Sequence, residues 1–232
     1  MQFERITNLE LLQPEKHRHL CLGPVQDLTA HFVPIVVSEF AAAAATCPIL
    51  LTKAAATGEF YAGALFGLKP GESWLENFID RGGFTPLNVQ REGFFITGEH
   101  IAIDRNSLRF SETEGELLFD AADQPSTPLR QIQRVLGQLQ AGVEATSAFI
   151  RALLNLKLIE PIDITLRFDG GERLRLESLY TVSLDGIRDL DDASTLSLFR
   201  SGHLQLAHIM NASLKQIPIL AQLRNRLLMA TP

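Results

Sequence analysis

Apolar residues fall along this chain in two rhythms. Leu129, Ile132, Leu136, Leu139, Val143, Ile150 and Leu153 recur at three- and four-residue spacing, which lines one face of a helix about seven turns long. In the preceding DQPSTPL, Thr127 is the expected N-cap and Pro128 the first helical residue, where a missing N–H removes no helical bond. Gly137 and Gly142 each weaken such a helix by roughly 1 kcal/mol relative to Ala, so a neighbouring backbone is expected to pack closely there. Glu160-Pro161 closes the stretch. The second rhythm is alternation: Ile162, Ile164, Leu166 and Phe168 alternate with Asp163, Thr165 and Arg167 up to Asp169-Gly170-Gly171, and Leu174, Leu176, Tyr180, Val182 and Leu184 alternate on the return. That pattern predicts a hairpin with one face in water.

Shorter alternations fill FTPLNVQREGFFITGEHIAIDRNSLRFSETEGELLFD, broken at Thr97-Gly98-Glu99, Arg105-Asn106 and Glu114-Gly115. Ile101 and Ile103 alternate with Ala102 and Asp104, and Leu108 and Phe110 with Arg109, which predicts an antiparallel meander with one face on the core. Upstream, the Ala-rich run Val36 to Ala45 predicts a helix stopped by Pro48. Ile49-Leu50-Leu51 and Phe60 to Leu68 then read as strands at a sheet's centre, covered on both faces. Pro70-Gly71 marks a turn, after which Ser73 is expected to cap a short helix through Phe78 and Ile79.

Residues 1–31 read as an arm with one or two strands. Residues 190–229 read as two helices meeting near Asn211 to Ser213, with a stripe through Leu196, Phe199, Leu206, Met210, Leu214, Ile217, Leu220 and Leu227 and a kink or restart at Pro218. The expected fold is α+β over a single domain of 1–232: mostly antiparallel sheet with hairpins, packed by a long central helix and a C-terminal helical pair.

Composition narrows the function. With 46% hydrophobic residues the chain can bury a sizeable core, and a net charge of -6 with scattered Lys and Arg argues against nucleic acid. Cys21 and Cys47 are the only cysteines and read as free thiols. No secretory leader and no transmembrane segment is legible, which places the protein in the cytoplasm. No metal cluster, phosphate loop or nucleophile motif is evident, so no metal and no cofactor is expected. GLKPGES lacks the Gly-Lys-Ser/Thr ending of a phosphate loop. His17 and His19 lie two apart in PEKHRH, a spacing that would put both on one face of a strand, but the segment reads better as a solvated basic patch. His203, beside Gly202, reads as a packed helix histidine, and Lys53 as an ordinary exposed lysine.

The more suggestive side chains sit at strand ends. Arg91, Asp104, Arg105 and Asn106, together with the sole tryptophan, Trp74, after its Pro-Gly turn, form the candidate ligand-binding set. The competing reading makes the four polar residues solvated turn groups and Trp74 core.

Several ordered blocks carry a likeness: PIVVSEFAAAAATCPILLTK, GEFYAGALFGLKPGESWL, REGFFITG, AIDRNSLRFSETEGELLFD and RSGHLQLAHIMNASLKQIPIL resemble the bacterial SapC family. A peptide-transporter permease of the same name would require several spanning helices and is a different protein. The resemblance implies an association with surface-layer loci and supplies no catalytic residues. It points to a non-enzymatic binding or accessory protein in a nutrient-uptake or surface-assembly system, acting on a protein partner or small ligand. The alternatives are an enzyme with its site at the 91–107 strand ends and the Trp74 loop, and a surface-layer component. The long C-terminal apolar stripe further predicts a homodimer or partner surface, or simple burial.

Overall fold

The computed structural model describes residues 9–80 and 83–230, so residues 1–8 of the expected arm lie outside the described residues. The arm supplies strand β1 (Leu9–Leu11), a helical turn α1 (Pro14–His17) and strand β2 (Cys21–Leu22). Strand β3 (Phe32–Pro34) leads through a 3-10 turn, Val37–Glu39, into helix α2 (Phe40–Ala44), which ends as the Ala run and Pro48 predict. Strands β4 (Ile49–Lys53) and β5 (Phe60–Leu65) follow, then helix α3 (Leu75–Asp80). Trp74 holds the N-cap position of α3, its carbonyl accepting the Phe78 N–H at 3.0 Å, and Ser73, one residue before it, accepts the Leu75 N–H on its Oγ at 3.3 Å. Next come α4 (Leu87–Gln90), β6 (Phe94–Thr97), β7 (His100–Asp104), β8 (Phe110–Ser111), β9 (Glu116–Leu117) and the long helix α5 (Thr127–Asn155). Strands β10 (Ile159–Pro161), β11 (Ile164–Arg167), β12 (Arg173–Leu176) and β13 (Tyr180–Val182) precede α6 (Leu184–Arg188), α7 (Asp192–Arg200), α8 (His203–Ser213) and α9 (Ile217–Ala230). The fold is α+β, with antiparallel sheets, a long central helix and a C-terminal helix pair.

The described residues divide into two compact units, a larger one of 29–80, 83–86 and 142–230 and a smaller one of 9–28 and 87–141. In the larger unit a five-stranded antiparallel sheet runs β10-β13-β4-β5-β3. Ile49, Leu50, Leu51, Ala62 and Ala64 are buried, as the apolar runs of two inner strands require. Helix α8 is tied to this sheet through Ser213, whose Oγ accepts the Ile49 N–H at 2.8 Å. Hairpin β11–β12 pairs Ile164 with Leu176 and Leu166 with Leu174, and these side chains pack on a cluster that contains Leu50, Leu68, Phe168 and Leu220. A 3-10 turn, Leu214–Gln216, separates α8 from α9, and Pro218 falls in the first turn of α9, where the helix restarts. One break was not legible: Gly202, at φ +76°, separates α7 from α8. Of the predicted stripe Met210, Ile217 and Leu220 are buried, whereas Leu196, Phe199 and Leu227 are 45%, 68% and 55% exposed.

In the smaller unit the β6–β7 hairpin forms at the predicted Gly98-Glu99 turn, but the meander does not continue from it. Strand β1 takes the other edge of β7, and β2 inserts between β8 and β9, giving orders β1-β7-β6 and β8-β2-β9. The Glu114-Gly115 turn is therefore not a hairpin. Gly115 has φ +107°, and a Cβ there would meet the Leu22 carbonyl oxygen at 2.6 Å, so the turn wraps the inserted strand. The core of this unit joins Leu20, Phe94, Ile103 and Leu118 to Leu129, Ile132 and Leu136 of α5. Val135 completes the buried stripe, and Val143 is 54% exposed. The helix is capped one residue earlier than expected, by Ser126, whose Oγ accepts the Leu129 N–H at 3.5 Å. Thr127 is thus already helical.

Candidate functional site

The loop between β7 and β8 sets up the most informative side chain of the smaller unit. Asp104 Oδ1 accepts the Asn106 N–H at 3.0 Å, and the Ser107 N–H bonds the Asp104 carbonyl at 3.0 Å, so the chain turns on an Asx motif. The strand resumes only at Phe110, and alternation does not govern the residues before it. Leu108 is thrown outward, 83% exposed, and Arg109 turns inward, 8% exposed, which reverses the order the alternation predicts.

Inside, Arg109 Nε donates to the Gly23 carbonyl at 3.3 Å, and Nη1 donates to the carbonyls of Gln90 at 2.6 Å and Glu92 at 3.2 Å. Among the described residues Nη2 has no hydrogen-bond partner. Burial works against the guanidinium's charge, lowering its pKa, and the nearby Glu92 carboxylate opposes that effect. Glu92 does not bond Arg109 through its side chain; its two oxygens accept the N–H groups of Gln26 at 2.7 Å and Asp27 at 3.1 Å.

Arg109 lines a cavity of about 440 Å³. Leu22, Val25, Ile132 and Val135 give it apolar walls, and Gln90, Gln131 and Glu116 add polar groups. This combination of apolar lining and a few placed polar groups is that of a small-molecule site.

None of the sequence-predicted residues is among those that line this cavity. Arg91 Nε donates to Asn88 Oδ1 at 2.9 Å and Nη1 to the Phe94 carbonyl at 3.0 Å, with the guanidinium 4.9 Å from the centre of the Phe95 ring. Burial lowers its pKa. Arg105 lies 3.7 Å from Glu112, and Asp104 and Asn106 are joined in the Asx turn. At the base of the hairpin the Asp104 N–H bonds the Gly93 carbonyl and the Phe94 N–H bonds that of Arg91. Trp74 belongs to the larger unit, 5% exposed in the cluster around Leu50 and Leu220. Two of the lining residues, Gln90 and Arg109, lie just outside the predicted segment 91–107.

Other candidates resolve into structural roles. His17 is not in a strand or a solvated patch: it ends α1, is 2% exposed, and its Nδ1 accepts the Gln13 N–H at 3.0 Å. The PEKHRH reading is corrected there, since the helical turn folds His17 inward while His19 stays half-exposed beside Glu112. His203 packs edge-on against Phe149 at 5.7 Å, and burial lowers its pKa. Lys53 is exposed and sits over the rings of Phe60 and Tyr180. Gly142 packs closely, but against the Val36 side chain, and nothing lies within 4 Å of a Cβ on Gly137. The expectation of a neighbouring backbone is corrected at both. Among the described residues no group of three His, Cys, Asp or Glu is arranged to hold a metal ion.

Fold and cavity together define an α+β protein with antiparallel sheets and an apolar-walled cavity beside Arg109. The SapC family model matches residues 12–220, and the chain belongs to the SapC family. No curated protein and no solved structure matches it. No described helix is long and apolar enough to cross a membrane.

Proposed function

We propose that the chain is a non-enzymatic binding protein, an accessory component of a bacterial nutrient-uptake or surface-assembly system that works in the cytoplasm, with a small ligand seated in the cavity over Arg109. The observation that carries this reading is the buried guanidinium with an uncommitted Nη2 on an apolar-walled cavity. Its lining offers one guanidinium, one carboxylate and two amides. Such a set orients a ligand, and it holds no nucleophile next to a base. An enzyme site at Arg91 and Asp104 draws less support, because both side chains are engaged within their own loops. Reading 1–232 as one SapC-like domain is supported by the family match, which runs through segments of both units.

Native mass spectrometry of the full chain, purified from a bacterial cytoplasm, tests the ligand reading. A bound small molecule is expected, and it should be lost when Val135→Phe fills the cavity in a variant that retains its melting temperature. No bound species, and no thermal shift across a metabolite library, overturns the reading.

A second reading, a protein-binding or self-associating surface, is favoured by Phe199 and Leu196 on α7, 68% and 45% exposed. Phe199→Glu with Leu196→Glu should reduce the size measured by light scattering while leaving the melting temperature unchanged. A monomer before mutation, with no partner recovered from the native cytoplasm, removes it.

A further inference from the structure

We infer that the cavity over Arg109 takes an apolar monocarboxylate, a ligand with one anionic head and a hydrocarbon or aromatic body; this rests on the reading of that cavity as a ligand site. The head follows from the arginine. A guanidinium has five N–H donors, and here Nε and Nη1 are engaged by main-chain carbonyls, leaving Nη2 uncommitted among the described residues. The acid closest to it electrostatically, Glu92, has both oxygens turned to backbone N–H groups of Gln26 and Asp27. The charge of Arg109 is therefore balanced from a distance, without a carboxylate in hydrogen-bond contact. A buried cation in that condition favours an anionic oxygen that brings a charge-assisted bond to it.

The lining also sets the ligand's charge and body. Arg109 is the one cation among the described lining residues, and Glu116 lines the same cavity, so a dianion such as a phosphate monoester would meet one attracting and one repelling group. One negative charge fits better. Leu22, Val25, Ile132 and Val135 leave the rest of the space apolar, and about 440 Å³ is room for a ligand of small-metabolite size.

The test is calorimetry on the full chain with three probes that share an eight-carbon tail: octanoate, octanol and octyl phosphate. Octanoate is expected to bind about tenfold or more tightly than octanol, a difference of about 1.4 kcal/mol. Arg109→Met should abolish that preference. Because Arg109 also ties Gly23 to Gln90, a second variant keeps the test independent of folding: Gln131→Glu adds a negative charge at an exposed position on the rim. It should weaken octanoate about fivefold relative to octanol. Octanol binding as tightly as octanoate, octyl phosphate binding more tightly, or octanoate unmoved by Gln131→Glu overturns the inference. If no probe binds but native mass spectrometry still finds a ligand sensitive to Val135→Phe, the inference falls and the ligand-site reading stands. If both are negative, both fall.

Discussion

Arg224 grips Glu172 with both ends of its guanidinium, Nη1 at 2.9 Å from one carboxylate oxygen and Nη2 at 3.1 Å from the other. Its Nε lies 3.0 and 2.9 Å from the two oxygens of Glu72, and the guanidinium stacks 4.4 Å over the Phe168 ring. One side chain of α9, 2% exposed, thus ties the loop after β5 to the turn of hairpin β11–β12. Lys69 lies 3.5 Å from Glu72 and 3.6 Å from Glu172, so two cations face two carboxylates.

Removing the central cation leaves the two carboxylates facing each other beside an aromatic ring. Arg224→Met is expected to destabilise the protein by about 2 to 3 kcal/mol, below the full penalty for breaking a buried pair because both glutamates keep contact with water. Urea denaturation measures it. Acid should produce a related loss. The hydrogen bonds from Arg224, more than any other interaction, hold the Glu172 pKa below the usual carboxylate range. A carboxylate depressed in the folded state contributes stability that is full above its unfolded pKa and is lost as pH falls through its folded one. The melting-temperature gap between wild type and Glu172→Gln should therefore be constant from neutral pH down to the usual carboxylate range and close below it. A gap that persists in stronger acid would show that the contribution is not electrostatic.

The position of the helix cap makes a ranking. Ser126→Ala should cost about 1 kcal/mol through the lost cap, Thr127→Ala much less, and Leu139→Ala about 2 to 5 through a core cavity. Chemical denaturation should return that order. Equal losses at Ser126 and Thr127 would place the helix start one residue later.

Two glycines in one helix should respond with opposite signs. At Gly137 a methyl group meets nothing within 4 Å, so Gly137→Ala is expected to stabilise by about 0.5 to 1 kcal/mol. At Gly142 the new Cβ would lie 2.5 Å from Val36 Cγ2 and 2.7 Å from its Cβ, and a β-branched side chain has little freedom to turn aside. Gly142→Ala should destabilise by about 1 to 3 kcal/mol. Thermal melts of the two variants shifting in the same direction would contradict this.

Burial pushes the Cys47 thiol up to about 12, with the Glu39 carboxylate adding to the effect against a bond with Thr46. The thiolate, the reactive form, is then scarce at pH values used for labelling. In a Cys21→Ala background, a disulfide reagent at mildly alkaline pH should leave Cys47 unmodified until denaturant is added. Labelling at the rate of a free thiol would mean that α2 opens readily.

Much of the architecture was legible because its signals are local. The β11–β12 hairpin needs only alternation and an Asp-Gly-Gly turn, β6–β7 only its Gly98 turn, and α5 only a three-four stripe behind a Ser-Thr-Pro start. The cavity was not legible: none of Trp74, Arg91, Asp104, Arg105 and Asn106 is among its lining residues, and Gln90 and Arg109, which are, lie just outside the predicted segment 91–107. An arginine between two apolar residues, three positions beyond the Asn of an Asp-x-Asn turn, was the available signal, since that turn breaks the strand's phase.

The sequence by itself determined the long helix, the β6–β7 and β11–β12 hairpins, that the sheets are antiparallel and which family the chain belongs to, because periodicity, turn chemistry and ordered blocks of residues are written along the chain. Tertiary structure alone decided that β2 inserts between β8 and β9, that Leu108 and Arg109 exchange the exposures their alternation predicts, and that His17 is buried. Each of these depends on a partner distant in sequence: β2 meets strands some ninety residues on, and Arg109 bonds the Gly23 carbonyl 86 positions away. Local patterning carries no record of which distant backbone fills an open strand edge or accepts a buried guanidinium.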